Sequence, residues 1–126
     1  MTATNTATTI ADVMTTNVLR ANTNHSFSQL CRMLLELNVH HLPVENEAGE
    51  LVGIISSNDV LRTFSYTIPL AKIADEAKLN SDISVEELMT PNPITIKPDA
   101  LLGEAIKLFT QNQIQSLPVV KDGQMV

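Results

Sequence analysis

The sequence predicts an α+β fold built from two copies of one small unit, and three observations predict it. Short motifs return at a fixed offset, each copy carries one stretch of helical apolar spacing, and that stretch leads into β-prone runs punctuated by Pro and Gly. Met14-Thr15-Thr16-Asn17 recurs as Met89-Thr90-Pro91-Asn92, and Leu42-Pro43-Val44 as Leu117-Pro118-Val119, both 75 positions on (89 − 14 and 117 − 42). Two separate matches in one register are hard to obtain by chance.

Residues 1–8, rich in Thr and Ala, read as a flexible leader without the basic and apolar regions of a secretion signal or membrane anchor. At the same offset Thr9-Ile10-Ala11-Asp12 pairs with Ser84-Val85-Glu86-Glu87. Each places a hydroxyl three residues before a carboxylate, the spacing with which two side chains satisfy the first free N–H groups of a helix. A short capped helical turn therefore opens each copy and ends at its Met-Thr. Phe27, Leu30, Cys31 and Leu34 then follow helical spacing and return as Leu102, Ala105, Ile106 and Phe109, so both helices are predicted to bury the same face. Ser26 with Gln29 suits the cap of the first helix and Asp99 that of the second, with ends near Asn38 and Gln113.

After each helix the pattern changes. Val39 to Val44 and Ile114 to Val120 are β-prone, each with a Pro near its end and a polar turn containing Gly49 or Gly123 beyond it. Leu51 to Ile55 is an apolar run bounded by turn residues and suits a strand covered on both faces. A closing helix is expected from Asp59 to Phe64, and Thr67 to Asp82 reads as a partly helical linker. The unit is thus strand, helix, strand, turn, strand, helix, with a first repeat over 9–66, a linker over 67–83 and a second repeat over 84–126. With one deletion in the second turn (123 − 49 = 74), Val126 answers to Val52, so the second copy is expected to be incomplete.

A chain of 126 residues with 44% hydrophobic content can build a core if the two pieces share it. A net charge of −6, with no basic cluster interleaved with aromatics, argues against direct nucleic-acid binding. A small anion remains compatible with an acidic protein, because backbone N–H groups at a helix start can hold phosphate. The single cysteine, Cys31, excludes an intrachain disulfide and points to a reducing compartment, by default the cytoplasm. On the apolar face of its helix it reads as a small buried hydrophobe. His40 and His41 are adjacent on a predicted strand and point to opposite faces, so they do not form a metal pair, and no metal site is expected. Met14 and Met89 read as gap-fillers.

The order of elements, His40-His41-Leu42-Pro43-Val44-Glu45, the run from Leu51 to Leu61, and the second Met-Thr-Pro-Asn-Pro together resemble a cystathionine-β-synthase (CBS) domain pair, the Bateman-type module, over about residues 9–126. The resemblance implies two βαββα copies packed sheet to sheet with pseudo-twofold symmetry, pairing into homodimers. It also implies that adenosine-containing ligands, AMP, ADP, ATP or S-adenosylmethionine, bind in clefts between the copies, with no cofactor required. Family ligand sites resemble a Gly-hydrophobic-hydrophobic-Ser/Thr-x-x-Asp pattern, which Gly53, Ile54, Ile55, Ser56, Ser57, Asn58 and Asp59 match.

Gly53 would permit close backbone approach, Ser56 and Ser57 would meet phosphate at a helix start, and Asp59 would accept from both ribose hydroxyls. The bland reading of Ser56 to Asp59 is a cap on the closing helix. Carried over by position, Asn17, Val18, Leu19, Val39 and Pro43 would surround adenine, the alternative being core packing. His40 would take a structural or phosphate-facing role.

The function expected is a non-enzymatic regulatory module that senses an adenosine ligand and reports to an effector protein. The alternative is a dimerisation scaffold with no ligand. No nucleophile–base pair, Walker loop or dinucleotide fingerprint is visible to support an enzyme.

Overall fold

A computed structural model describes residues 8–67 and 80–126, and the side chains of 8–63 and 80–126. Most of the expected linker, and nearly all of the expected leader, lie outside the described residues. In chain order the elements are α1 (Ile10–Val13), β1 (Ala21–Asn22), α2 (Phe27–Glu36), β2 (His41–Glu45), β3 (Leu51–Ser56) and α3 (Ser57–Thr67). They continue with α4 (Val85–Leu88), β4 (Thr90–Pro91), α5 (Leu102–Asn112), β5 (Val120–Lys121) and β6 (Gln124–Met125). The chain is α+β, as its period changes predict.

The chain forms two compact units, and each takes its opening helix from the other repeat in sequence. One unit comprises residues 19–93 and the other residues up to 18 together with 94–126.

In the unit of residues 19–93 a four-stranded sheet has the order β1-β2-β3-β4. β1 runs parallel to β2, while β2–β3 and β3–β4 are antiparallel. The pleat of β2 and β3 and one face of α2 meet in a core of Phe27, Leu30, Leu34, Leu42, Val44, Ile55 and Val60, joined by Ile83, Val85 and Leu88. Full burial of such side chains contributes about 1.5–3 kcal/mol each. Ser26 and Gln29 close a reciprocal cap on α2: the Ser26 N–H donates to Gln29 Oε1 at 2.8 Å and the Gln29 N–H to Ser26 Oγ at 3.2 Å. β3 is less evenly covered than its continuous apolar run suggests: Gly53 and Ile55 are buried while Val52 and Ile54 are half-buried, the period of two of a pleated strand.

In the other unit α1 is seated by the Ile10 N–H donating to the Ala100 carbonyl at 2.9 Å and the Ala11 N–H to the Pro98 carbonyl at 2.9 Å. A small core of Ile10, Ile96 and Ala105 is extended by Met14, Ala100, Leu108, Leu117 and Val119. Helix α5 departs from expectation in two ways. Its cap is Leu101, not Asp99, and the Leu102 N–H is satisfied by the Thr8 carbonyl at 3.0 Å instead of by a side chain. Ile106 and Phe109 are exposed, and Leu108 packs inward in their place.

The repeat seen in sequence is present in backbone geometry. Positive φ occurs at Asn17 and Asn92 (55° and 51°), at Asn38 and Gln113 (51° and 53°), and at Gly49 and Gly123 (82° and 83°). The parallel pairing of Ala21 with Val44 returns as that of Ile96 with Val119, each residue 75 on. Glu45 opposite Leu51 returns as Val120 opposite Met125. The single deletion between them converts a longer turn into a two-residue Asp122-Gly123 hairpin with positive φ at both positions, the conformation that twisted strands favour.

Candidate functional site

The sequence pattern singled out at Gly53 to Asp59 folds into the junction of β3 and α3, where several polar groups converge. Antiparallel pairing sets His41 opposite Ser56 at the end of the sheet, and the Ser57 N–H donates to the His40 carbonyl at 2.9 Å. The chain then turns into α3. Ser56 is its cap: the Asp59 N–H donates to Ser56 Oγ at 3.1 Å, and the Ser56 N–H donates to Asp59 Oδ2 at 2.8 Å. Both members of the reciprocal cap are thereby fixed by the N-terminal N–H groups of the helix they begin. The other carboxylate oxygen, Oδ1, accepts from Arg62 Nη2 at 2.9 Å, one turn on. The Asp59 side chain is 17% exposed and that of Arg62 is 67% exposed.

The spacing that resembles a ligand motif is therefore a working helix cap. That does not exhaust its hydrogen-bonding capacity. A carboxylate carries about four lone-pair sites, and a hydroxyl that accepts from a backbone N–H still has its own proton to donate. The positive end of the α3 dipole lies at the same place.

Of the other residues named from sequence, His40 is exposed and directly precedes β2, and Val39 is half-buried against the core of its unit. Pro43 is buried in β2 opposite Ile54, two pairs further from the sheet end than Ser56. Gly53 is buried, and its missing side chain makes room for Met89: a Cβ there would lie 2.5 Å from Met89 Sδ and 3.0 Å from the Thr90 carbonyl oxygen. Leu19 is exposed ahead of β1. Asn17 and Val18 belong to the other unit and precede the first strand instead of forming it. The structure thus brings together His40, Ser56, Ser57 and Asp59 within one unit. Arg62 was missed from sequence, although its i+3 spacing from Asp59 on a helix is a readable signal.

Among the described residues no helix is long and apolar enough to cross a membrane.

With this fold and junction in view, the comparisons define the class of protein. The CBS domain family model matches residues 10–66 and 85–126. The chain belongs to the CBS-domain family, as a tandem pair. It is 29% identical to L-aspartate semialdehyde sulfurtransferase of Methanocaldococcus jannaschii over 90% of its own length but 19% of that protein's. It is 32% identical to homoserine O-acetyltransferase of Methanococcoides burtonii, covering 93% of this chain and 21% of that one. The chain thus spans about a fifth of these relatives, and the chemistry in their names belongs to proteins far longer than the matched part.

Among solved structures, CBSX2 of Arabidopsis thaliana in complex with AMP superposes with a TM-score of 0.76 at 29% identity, covering 94% of this chain and 87% of that one. The CBS domain pair of protein MJ0100, in complex with 5′-methylthioadenosine and S-adenosyl-L-methionine, gives a TM-score of 0.75 at 28% identity, covering 95% and 86%.

Proposed function

We propose that this CBS pair is a non-catalytic regulatory module that binds an adenosine-containing ligand of the AMP, ADP, ATP or S-adenosylmethionine class. The observation that supports it most is the β3–α3 junction, where Ser56, Ser57 and Asp59 stand at the N-terminus of α3 with acceptor capacity left on a part-buried carboxylate. The AMP and S-adenosylmethionine complexes of the similar CBS pairs support the ligand class. In this reading Asp59 accepts from the ribose hydroxyls, Ser56 donates to the ligand, and Val39 and Pro43 lie on the adenine side. Gly53 acts indirectly, by letting Met89 close on the strand. The ligand's occupancy is reported to an effector protein in a reducing, cytoplasmic setting.

Calorimetric titration of AMP, ADP, ATP and S-adenosylmethionine into the wild type and Asp59→Ala tests the reading. Loss of charge-assisted hydrogen bonds of about 1.5–3 kcal/mol each predicts at least a tenfold loss of affinity. The melting midpoint of the variant separates this from the loss of the cap. A wild type that binds none of the four overturns the ligand reading in favour of a dimerisation scaffold.

The same module is proposed to form a homodimer. Leu61 on α3, 61% exposed, and Ile106 on α5, 56% exposed, are apolar groups that an isologous contact would cover. A concentration-independent monomer mass by light scattering would contradict this.

A further inference from the structure

We infer that Arg62 sets the ligand class of the β3–α3 junction, making it select phosphate-bearing adenosine nucleotides over neutral or cationic adenosine derivatives; the inference rests on the reading of Asp59 as the ribose acceptor. Asp59 Oδ2 is committed to the Ser56 N–H at 2.8 Å, and Oδ1 is paired with Arg62 Nη2 at 2.9 Å. Without Arg62 the junction would present an unneutralised carboxylate near the 5′ substituent, because the 2′ and 3′ hydroxyls and the exocyclic 5′ carbon are substituents of one five-membered ring. That charge would attract a sulfonium and repel a phosphate. With Arg62 the carboxylate is neutralised by a partner that spends only one of a guanidinium's five N–H donors on it. The Arg62 side chain, 67% exposed, is available to meet an arriving anion. A planar fork of donors suits a phosphate and has nothing to offer a methylthio group.

The pair also leaves ribose recognition intact. Each carboxylate oxygen has a second lone-pair site, so the ribose hydroxyls can be accepted without expelling Arg62. Among the described residues, Arg62 is the charged side chain paired with Asp59, and the positive end of the α3 dipole lies beside the same carboxylate, so Arg62 is the side chain that offsets the negative charge at the junction. The chain as a whole carries a net charge of −6, which gives no general attraction to nucleotides and leaves the discrimination to local groups.

The test is calorimetric titration of AMP, 5′-methylthioadenosine and S-adenosylmethionine into the wild type and Arg62→Gln, at low and at physiological salt. AMP is expected to bind the wild type more tightly than 5′-methylthioadenosine. Arg62→Gln is expected to lower AMP affinity about fivefold to tenfold, leave 5′-methylthioadenosine within about twofold, and improve S-adenosylmethionine relative to AMP. The AMP effect should shrink as salt rises. An equal loss for AMP and 5′-methylthioadenosine would show that Arg62 only positions Asp59, and overturns the inference. Unchanged AMP affinity overturns it as well. If the wild type binds 5′-methylthioadenosine but not AMP, Arg62 selectivity fails while the adenosine-site reading stands. If it binds no adenosine compound, both fall.

Discussion

Met89 lies directly over Gly53: a Cβ at Gly53 would come within 2.5 Å of Met89 Sδ and 2.8 Å of Met89 Cγ. Gly53 pairs with Pro91 and Ile54 with Thr90, so the second repeat's opening segment lies antiparallel beside the first repeat's strand at its one residue without a side chain. Gly53→Ala should therefore push Met89 out of its packing and cost about 1–3 kcal/mol by overpacking. Met89→Ala should cost stability alone but relieve most of the Gly53→Ala penalty in the double variant. Urea titration of the four proteins checks this, and strictly additive effects would mean the two residues do not share the site.

Helix α5 lacks the side-chain cap that Ser26 gives α2, and Leu101 occupies the equivalent position 75 residues on. Leu101 is 44% exposed, so little burial is lost on replacing it. Leu101→Ser would create a hydroxyl three residues before Glu104, restoring the reciprocal cap that Ser26 and Gln29 form. A gain of about 0.5–1 kcal/mol in unfolding free energy is expected. An unchanged or lowered midpoint would indicate that the Thr8 carbonyl already serves the helix start fully.

Much of the fold was legible because the repeat transmits backbone requirements. Asn38 and Gln113 share a left-handed φ although one is an unusual residue for it, and only the offset links them. The capped openings at Ile10 and Val85, and the one-residue deletion that yields the Asp122-Gly123 hairpin, were readable for the same reason. The exchange of opening helices was not. Local spacing states that Ile10 needs an apolar partner, but the residues between Met14 and Ala21 can reach either repeat, and nothing in the pattern chooses Ala105.

Periodicity also names a shared face without stating how much surface exists to cover it. That is why Ile106 and Phe109 follow the spacing of Cys31 and Leu34 yet stay exposed, in a unit whose buried core is Ile10, Ile96 and Ala105. At the site, Ser56 and Asp59 were legible as a motif. Its two meanings are inseparable in sequence, because a helix cap and a nucleotide contact both call for a hydroxyl and a carboxylate at a helix start.

Cys31 packs beside the core cluster of its unit, and burial raises its thiol pKa above the usual value by penalising the thiolate. A disulfide reagent at neutral pH should label it more slowly than an unstructured cysteine, and at the unstructured rate in denaturant. The linkage has a definite sign. A folded-state pKa above the unfolded one favours the protonated thiol in the fold, so this contribution to stability is present in full below the unfolded pKa and is lost as pH rises through the folded one. Cys31→Ala should remove that alkaline loss. An identical alkaline stability profile for wild type and variant would refute the linkage.

Helix α5 ends at Gln113, whose φ of 53° and ψ of 38° place it in the left-handed region. For a residue with a Cβ this conformation costs about 1–2 kcal/mol, and asparagine tolerates it better than glutamine because its shorter side chain can hydrogen-bond locally. The equivalent position after α2 is Asn38, at φ 51°. The strain is thus unequal between two turns of one geometry. Gln113→Gly should gain about 1 kcal/mol, since glycine adopts the left-handed region freely and the lost side chain is exposed. Asn38→Gly should gain less or nothing, because part of the penalty is already absent while the unfolded chain gains freedom. Chemical denaturation of both variants against the wild type measures the difference. A larger gain at Asn38 than at Gln113 would show that side-chain contacts, not backbone strain, set the energetics of these helix ends.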